Sequence, residues 1–453
     1  GNYLDFDSLK LLKEKLSEGV PSKAEVSVPY IDCDDVTVLK TYSRYSSNQI
    51  LAHIIGYMDS GNANGVSGLE KGYNDLLNSF SGKLSVSYLA DARGRILSGS
   101  KSNIKDENYN SKGGIKLTID SRIQRIAEEC ANESNLGECA IVILEANSGK
   151  IRAMVSKPDF NPQKVGDIIN AENSPLINRA LTPYSVGSVF KLVVAAAAVE
   201  KGIPVSYEYD CRGEIDVDGV NIHCHKLEGH GTLDMSNALA LSCNTYFINL
   251  ALKVGKEDIL GMAEKMGFGK EFALAPEITG ESGILPDSAD ISSQPALANL
   301  AFGQGTLMAT PLQLAVAYSC VANSGKYYQP FLVESTIDAN GNETTVNSVK
   351  APVQVFSKEV SDTLTSFLEN SVNNGGGSLA KPTKTTAAGK TATAQTGWYD
   401  SDGKEYYHSW FCGFYPSEKP KYIIAIMKEK GKGGSVDCAP VFKKIADKIE
   451  YIN

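Results

Sequence analysis

Ser188 and Lys191 stand three residues apart at the head of an apolar, alanine-rich run. Residues i and i+3 share one face of a helix, so the amine is placed to reach the hydroxyl. A lysine held in an apolar helix loses charge, because desolvation lowers its pKa. A neutral amine beside a serine is a general base beside a nucleophile. The spacing alone is common in amphipathic helices, but two further motifs accompany it. Ser242-Cys243-Asn244 places two polar groups at i and i+2, which share no helix face, so the pair predicts a turn between helices. Lys390-Thr391-Ala392-Thr393 alternates as a strand does, with Thr391 and Thr393 on one face and Lys390 on the other.

The elements that must position these groups follow from the pattern. Strand signals at 116–120, 140–145 and 151–156 precede a long helical middle. Strands return at 386–395, 408–415 and 421–428, and an amphipathic helix closes the chain at 440–452. Strands at both ends with helices between predict an α+β domain, one antiparallel sheet covered by helices on both faces. Upstream, residues 1–110 mix strand-like (83–89) and helical (7–16) runs. They end in a polar stretch at 98–114 that reads as a linker.

A chain of 453 residues predicts two or more domains and a large core. Its 42% hydrophobic and 21% charged residues are those of an ordinary globular protein, and a net charge of −9 argues against a nucleic-acid surface. The longest apolar run, 192–199, is far short of a membrane span and continues the helix that carries Lys191.

Nine cysteines cannot all pair with one another. Cys33, Cys130, Cys139, Cys320, Cys412 and Cys438 show no metal-like spacing, and Cys320 and Cys412 read as buried small hydrophobes. The others fall between the first two motifs, with His223, His225 and His230. Cys211, Cys224, His230 and Cys243 would supply the four ligands of a closed, structural zinc site. If Ser242 and Asn244 face a cleft, Cys243 between them faces the body, and a Zn2+ there would pin the turn from behind. His223 and His225 flank Cys224 as substitutes for one ligand. A Cys224–Cys243 disulfide and free thiols are the competing readings.

The order S-x-x-K, S-x-N, K-T-x is the signature set of penicillin-binding proteins and class A β-lactamases. Over nearly its whole length the chain resembles a class B penicillin-binding protein. Residues 117–124 and 140–162 resemble the entry to that family's catalytic domain. Asn178-Arg179-Ala180, Ala301-Phe302-Gly303-Gln304-Gly305, Thr310-Pro311-Leu312-Gln313 and Ala322-Asn323-Ser324-Gly325 are similar to family patterns. Arg44-Tyr45, 53–57 and 65–73 resemble its non-catalytic pedestal, and 91–94 the hand-over. The resemblance implies a pedestal (1–110) for dimerisation or partner docking, then a penicillin-binding/serine β-lactamase-like transpeptidase domain (111–453).

It further implies a peptidoglycan D,D-transpeptidase acting on D-alanyl-D-alanine stem peptides, acylated and inhibited by β-lactams, with no cofactor in the chemistry. Ser188 would be the nucleophile and Lys191 its base, with Ser242, Asn244 and Lys390 assisting. Thr391 and Thr393 would hold the substrate carboxylate. Some members carry zinc ligands at positions matching Cys224, His230 and Cys243, while sporulation-type relatives have a similar cysteine pair. The family implies a single N-terminal anchor outside this chain, the extracytoplasmic face of a bacterial membrane, and a membrane glycosyltransferase partner docked through the pedestal. One departure stands out: Ala392 occupies the usual glycine of K-T-G, and its methyl is expected to crowd the substrate. Rival readings are a serine β-lactamase, normally without such a pedestal, and a non-catalytic β-lactam sensor or scaffold. The complete set of motif groups favours the transpeptidase.

Overall fold

The computed structural model describes residues 30–33, 36–39, 44–46, 49–61, 63–93, 97, 103–107, 109 and 111–452. The chain divides into two compact units. One comprises Gly1–Ser46 with Lys83–Glu107, the other Ser47–Gly82 with Asn108–Asn453. In the smaller unit, Tyr30–Cys33 pairs with Val36–Leu39, and Lys83–Ser87 with Asn103–Glu107, both antiparallel. The helix expected at 7–16 lies outside the described residues, as does part of the expected linker. Residues 103–107 of that linker form a strand, because a ladder needs backbone groups that any polar residue supplies.

In the larger unit, five strands make one antiparallel sheet: β1 (Cys139–Glu145), β2 (Ile151–Lys157), β3 (Ala388–Tyr399), β4 (Glu405–Tyr415) and β5 (Tyr422–Lys428), in the order β3-β4-β5-β1-β2. β1 is apolar at nearly every position because both faces are covered. Ala140, Val142 and Leu144 join one core cluster, Ile141 and Ile143 another. The second cluster lies under α1 (Ser121–Glu133) and the closing helix α7 (Ala439–Glu450). The first holds α2 (Lys191–Glu200), α3 (Met235–Ala240), α4 (Asn244–Val254), α5 (Pro311–Ala322) and α6 (Lys358–Asn374). The α+β reading therefore holds, helices on both faces of an antiparallel sheet.

Boundaries moved where a side chain found other work. The first strand is Gly114–Leu117 rather than 116–120, because the Asp120 carboxylate accepts from Arg122 N and caps α1. β3 and β4 run farther than 386–395 and 408–415, carried past a bulge at Gly397. Thr310 and Gln313 close a capping box that starts α5 with Pro311 in its first turn. Residues 47–82 are tied to the rest of the larger unit by Leu51 N donating to Glu128 Oε1 (3.0 Å) and by a Lys71–Glu277 ion pair (2.7 Å). Among the described residues no helix is long and apolar enough to cross a membrane.

Candidate active site

Ser188 sits on a 3₁₀ turn, Gly187–Phe190, and α2 begins only at Lys191. The expected first α-helical turn is thus tighter, and Gly187 explains it. Its φ is +63°, a conformation that glycine takes without steric cost. A Cβ there would lie 3.0 Å from the Ala394 methyl on β3. The turn is fastened on several sides. Gly187 N–H donates to Gly303 O (2.9 Å), and a Cβ on Gly303 would come within 2.0 Å of Gly187 O. Trp410 Nε1 donates to Ser185 O (2.9 Å). Tyr184 Oη (2.9 Å) and Arg179 Nε (2.7 Å) both donate to Glu429 Oε1. Ser188 itself is half-buried, and its hydroxyl makes no hydrogen bond among the described residues.

Lys191 is completely buried. Its Nζ reaches Ser242 O (2.7 Å), Asn244 Oδ1 (2.7 Å) and Ser242 Oγ (3.3 Å). Burial pushes its pKa down to about 7. A neutral amine has two N–H donors for the two short contacts, leaving its lone pair for a hydroxyl proton. The amine's partners are on the S-x-N turn, not on Ser188, a pairing that i, i+3 spacing does not reveal.

The S-x-N turn joins α3 to α4, as its spacing predicted. Asp234 caps α3 by accepting from Asn237 N, and Asn244 is the first residue of α4. Ser242 has φ +57°, an uncommon conformation for a side chain of this kind, held by Ser242 N–Leu239 O (3.1 Å) and Cys243 N–Ala238 O (2.9 Å). It turns Ser242 and Asn244 toward Lys191 and leaves Cys243 fully buried.

Lys390 is also completely buried; burial first, then the nearby Lys191, hold its pKa well below the usual lysine range. Its Nζ donates to Thr391 O (2.9 Å). Thr391 is 8% exposed and Thr393 lies open. β3 is the sheet's outer strand, so its outer edge pairs with no strand among the described residues. Ala392, the residue at the usual glycine of the motif, sits inward. It is 4% exposed and packs in the core cluster with Ala394 and Trp410, on the face opposite Thr391 and Thr393. Its methyl fills the body rather than the open edge.

Behind the S-x-N turn, the ligand atoms of Cys211, Cys224, His230 and Cys243 lie within 4.8 Å of one another. His230 Nδ1 is 3.5 Å from Cys211 Sγ and 3.6 Å from Cys224 Sγ, and the Cys224 and Cys243 sulfurs are 4.0 Å apart. A tetrahedron with zinc bond lengths puts two sulfurs about 3.8 Å apart and sulfur and nitrogen about 3.5 Å apart. The donor set fits that ion. Burial lowers the His230 pKa and keeps the imidazole neutral, the ligating form. The Cys243 contact and further hydrogen bonds hold the Cys224 thiol down; that contact and burial push Cys243 up. His225 stays at the margin, 3.9 Å from Cys224 Sγ, and His223 is exposed beside Glu214. The four cysteines with buried sheet or helix positions elsewhere, Cys130, Cys139, Cys320 and Cys412, have thiols pushed up by burial and are inert small hydrophobes.

Sequence reading missed Trp410 and Glu429. A tryptophan in a core strand and a glutamate at a strand end carry no local signal; only the fold brings them to the serine turn.

The family model of the penicillin-binding protein transpeptidase domain matches residues 139–447. Stage V sporulation protein D of Bacillus subtilis is 31% identical over 423 residues, 88% of this chain and 62% of that protein. Peptidoglycan D,D-transpeptidase FtsI of Buchnera aphidicola is 30% identical over 431 residues, 91% of this chain and 71% of that protein. Penicillin-binding protein 3 of Mycobacterium tuberculosis, solved with aztreonam, superposes with a TM-score of 0.73 at 26% identity over 90% of each chain. The chain belongs to the penicillin-binding protein transpeptidase family, among its class B members. It spans less than two thirds of the sporulation protein's length.

Proposed function

We propose that this chain is a peptidoglycan D,D-transpeptidase working through a serine acyl-enzyme. The observation that carries it is Lys191, buried, depressed to about 7, and hydrogen-bonded to both polar groups of the S-x-N turn. Ser188 Oγ attacks the carbonyl between the two D-alanines, and Lys191 takes the hydroxyl proton. Backbone N–H groups of Ser188 and Thr393 receive the developing oxyanion. Ser242 passes a proton to the departing D-alanine amine, with Lys390 tuning the field around it. Asn244 holds Lys191 and the substrate amide, and the Thr391 and Thr393 hydroxyls bind the terminal carboxylate. An amine from a neighbouring stem then attacks the acyl carbon, releasing Ser188 and forming the cross-link. A β-lactam enters at the same serine and stays; aztreonam bound to the mycobacterial relative supports that class of inhibitor.

Zn2+ bound by Cys211, Cys224, His230 and Cys243 would brace the S-x-N turn and supply no chemistry. The pedestal within 1–110 would dock a membrane glycosyltransferase, and the catalytic domain would work at the extracytoplasmic face of the membrane. Intact mass before and after benzylpenicillin tests the central reading. A penicilloyl adduct that survives denaturation and is lost in Ser188→Ala supports it. Rapid drug hydrolysis without adduct would make the chain a β-lactamase, and neither outcome would leave a scaffold.

A further inference from the structure

The chain has two tryptophans, one fully buried (Trp410) and one, Trp398, 60% exposed. The exposed one is held in place by a built bulge on β3. The ladder shifts register between Gln395 and Tyr399, and Gly397 has φ +70°. Thr396 Oγ1 donates to Tyr406 O (2.7 Å) and accepts from Trp398 N (3.0 Å), while Gly397 N donates to Glu405 Oε1 (3.1 Å). Bulges beside functional sites re-aim a side chain. Here the indole meets His408, with ring centroids 6.3 Å apart and planes at 87°. His408 is the cross-strand partner of Ala394, whose methyl faces Gly187. Trp398 therefore stands on the serine side of the sheet. Tyr399, just as exposed at 63%, is its immediate neighbour and points to the opposite face.

We propose that Trp398 is a stacking platform for the sugar that bears the donor stem peptide. The inference rests on the transpeptidase reading and extends it to a glycan subsite. The occupant follows from the open outer edge of β3, which continues from Thr391 and Thr393 to this tryptophan, the direction in which an extended peptide lying on that edge would run toward its sugar. A pyranose presents a face of C–H bonds that packs on the electron-rich face of an indole.

The test compares Trp398→Ala and Tyr399→Ala with the parent chain on three probes: benzylpenicillin, the free stem pentapeptide and the disaccharide-pentapeptide. Trp398→Ala should raise KM for the disaccharide-pentapeptide up to about tenfold. Penicillin acylation and D-alanine release from the sugar-free peptide should hold within about twofold, and Tyr399→Ala should match the parent throughout. Equal losses on all three probes, or no change on the disaccharide substrate, would overturn the proposal. Fluorescence titration of the parent with disaccharide-peptide lacking D-alanine reads Trp398 without any turnover. Quenching without penicillin acylation would sink the transpeptidase reading and keep the subsite; acylation without quenching would do the reverse.

Discussion

One three-residue turn has a front and a back that solve opposite problems. In front, Ser242 and Asn244 are half-buried and hold the buried amine proposed as the base. Behind, Cys243 is fully buried among two thiols and an imidazole, a set suited to holding still. The positive φ at Ser242 lets a single stretch of backbone serve both. The comparison teaches that chemistry and bracing can be separated by side-chain alternation alone. Changes in front should alter rate with little effect on stability, and changes behind should do the reverse.

The sharpest break comes from the nucleophile. Ser188→Ala should remove penicillin acylation entirely at an unchanged melting temperature; an adduct of normal mass in that variant would end the assignment. Lys191→Ala should slow acylation by about 10²–10⁴-fold, the usual reach of a general base. Stopped-flow acylation beside a melting curve separates this from misfolding, and a large Tm loss with normal acylation would reverse the front-and-back division. Next comes the back. Cys243→Ala, or chelation of the parent, should lower Tm by about 2–3 °C, as expected for losing roughly 2 kcal/mol in a domain of this size. Native mass spectrometry would show one zinc lost in step; if neither treatment moves Tm, the metal reading falls. Smaller still is the pH effect. With Lys191 depressed to about 7, the amine is protonated and idle below that value and a base above it. Acylation should therefore rise through pH 7 and level off, and a flat profile from pH 6 to 8 would remove Lys191 as the titrating base.

Much of this was legible in the sequence, for identifiable reasons. Motif order picked out Ser188, Lys191, Ser242 and Asn244, because the roles proposed for them belong to side chains whose type is their signal, and the fold brings Lys191 onto Ser242 and Asn244. The i, i+2 spacing placed the S-x-N turn between helices and sent Cys243 backward, where its sulfur meets Cys224. Strand signals at 140–145, 151–156, 408–415 and 421–428 anticipated four strands of the sheet. What stayed hidden depends on contacts between distant segments. Gly303 matters because it lies against Gly187, and Glu429 because it receives both Arg179 and Tyr184. The same holds for Ala392, whose methyl direction is set by strand pairing with Trp410 rather than by its neighbours in sequence. The tight turn at Ser188 is another case, since Gly187 gives permission for it while Ala394 and Gly303 require it.

Burying two lysines makes folding itself a proton-releasing reaction. In an unfolded chain both amines keep ordinary pKa values near 10.4 and are charged at pH 8. In the folded chain Lys191 titrates near 7 and is mostly neutral at that pH, while burial and the nearby Lys191 hold Lys390 well below the usual lysine range. Between about pH 7 and 10 the unfolded state binds more protons, so stability rises with pH across that window. The heat of unfolding near pH 8 should accordingly change with the ionisation enthalpy of the buffer, by roughly one proton's worth from Lys191 alone. A chain that must give up protons to reach its native state arrives there with the Lys191 amine already largely neutral.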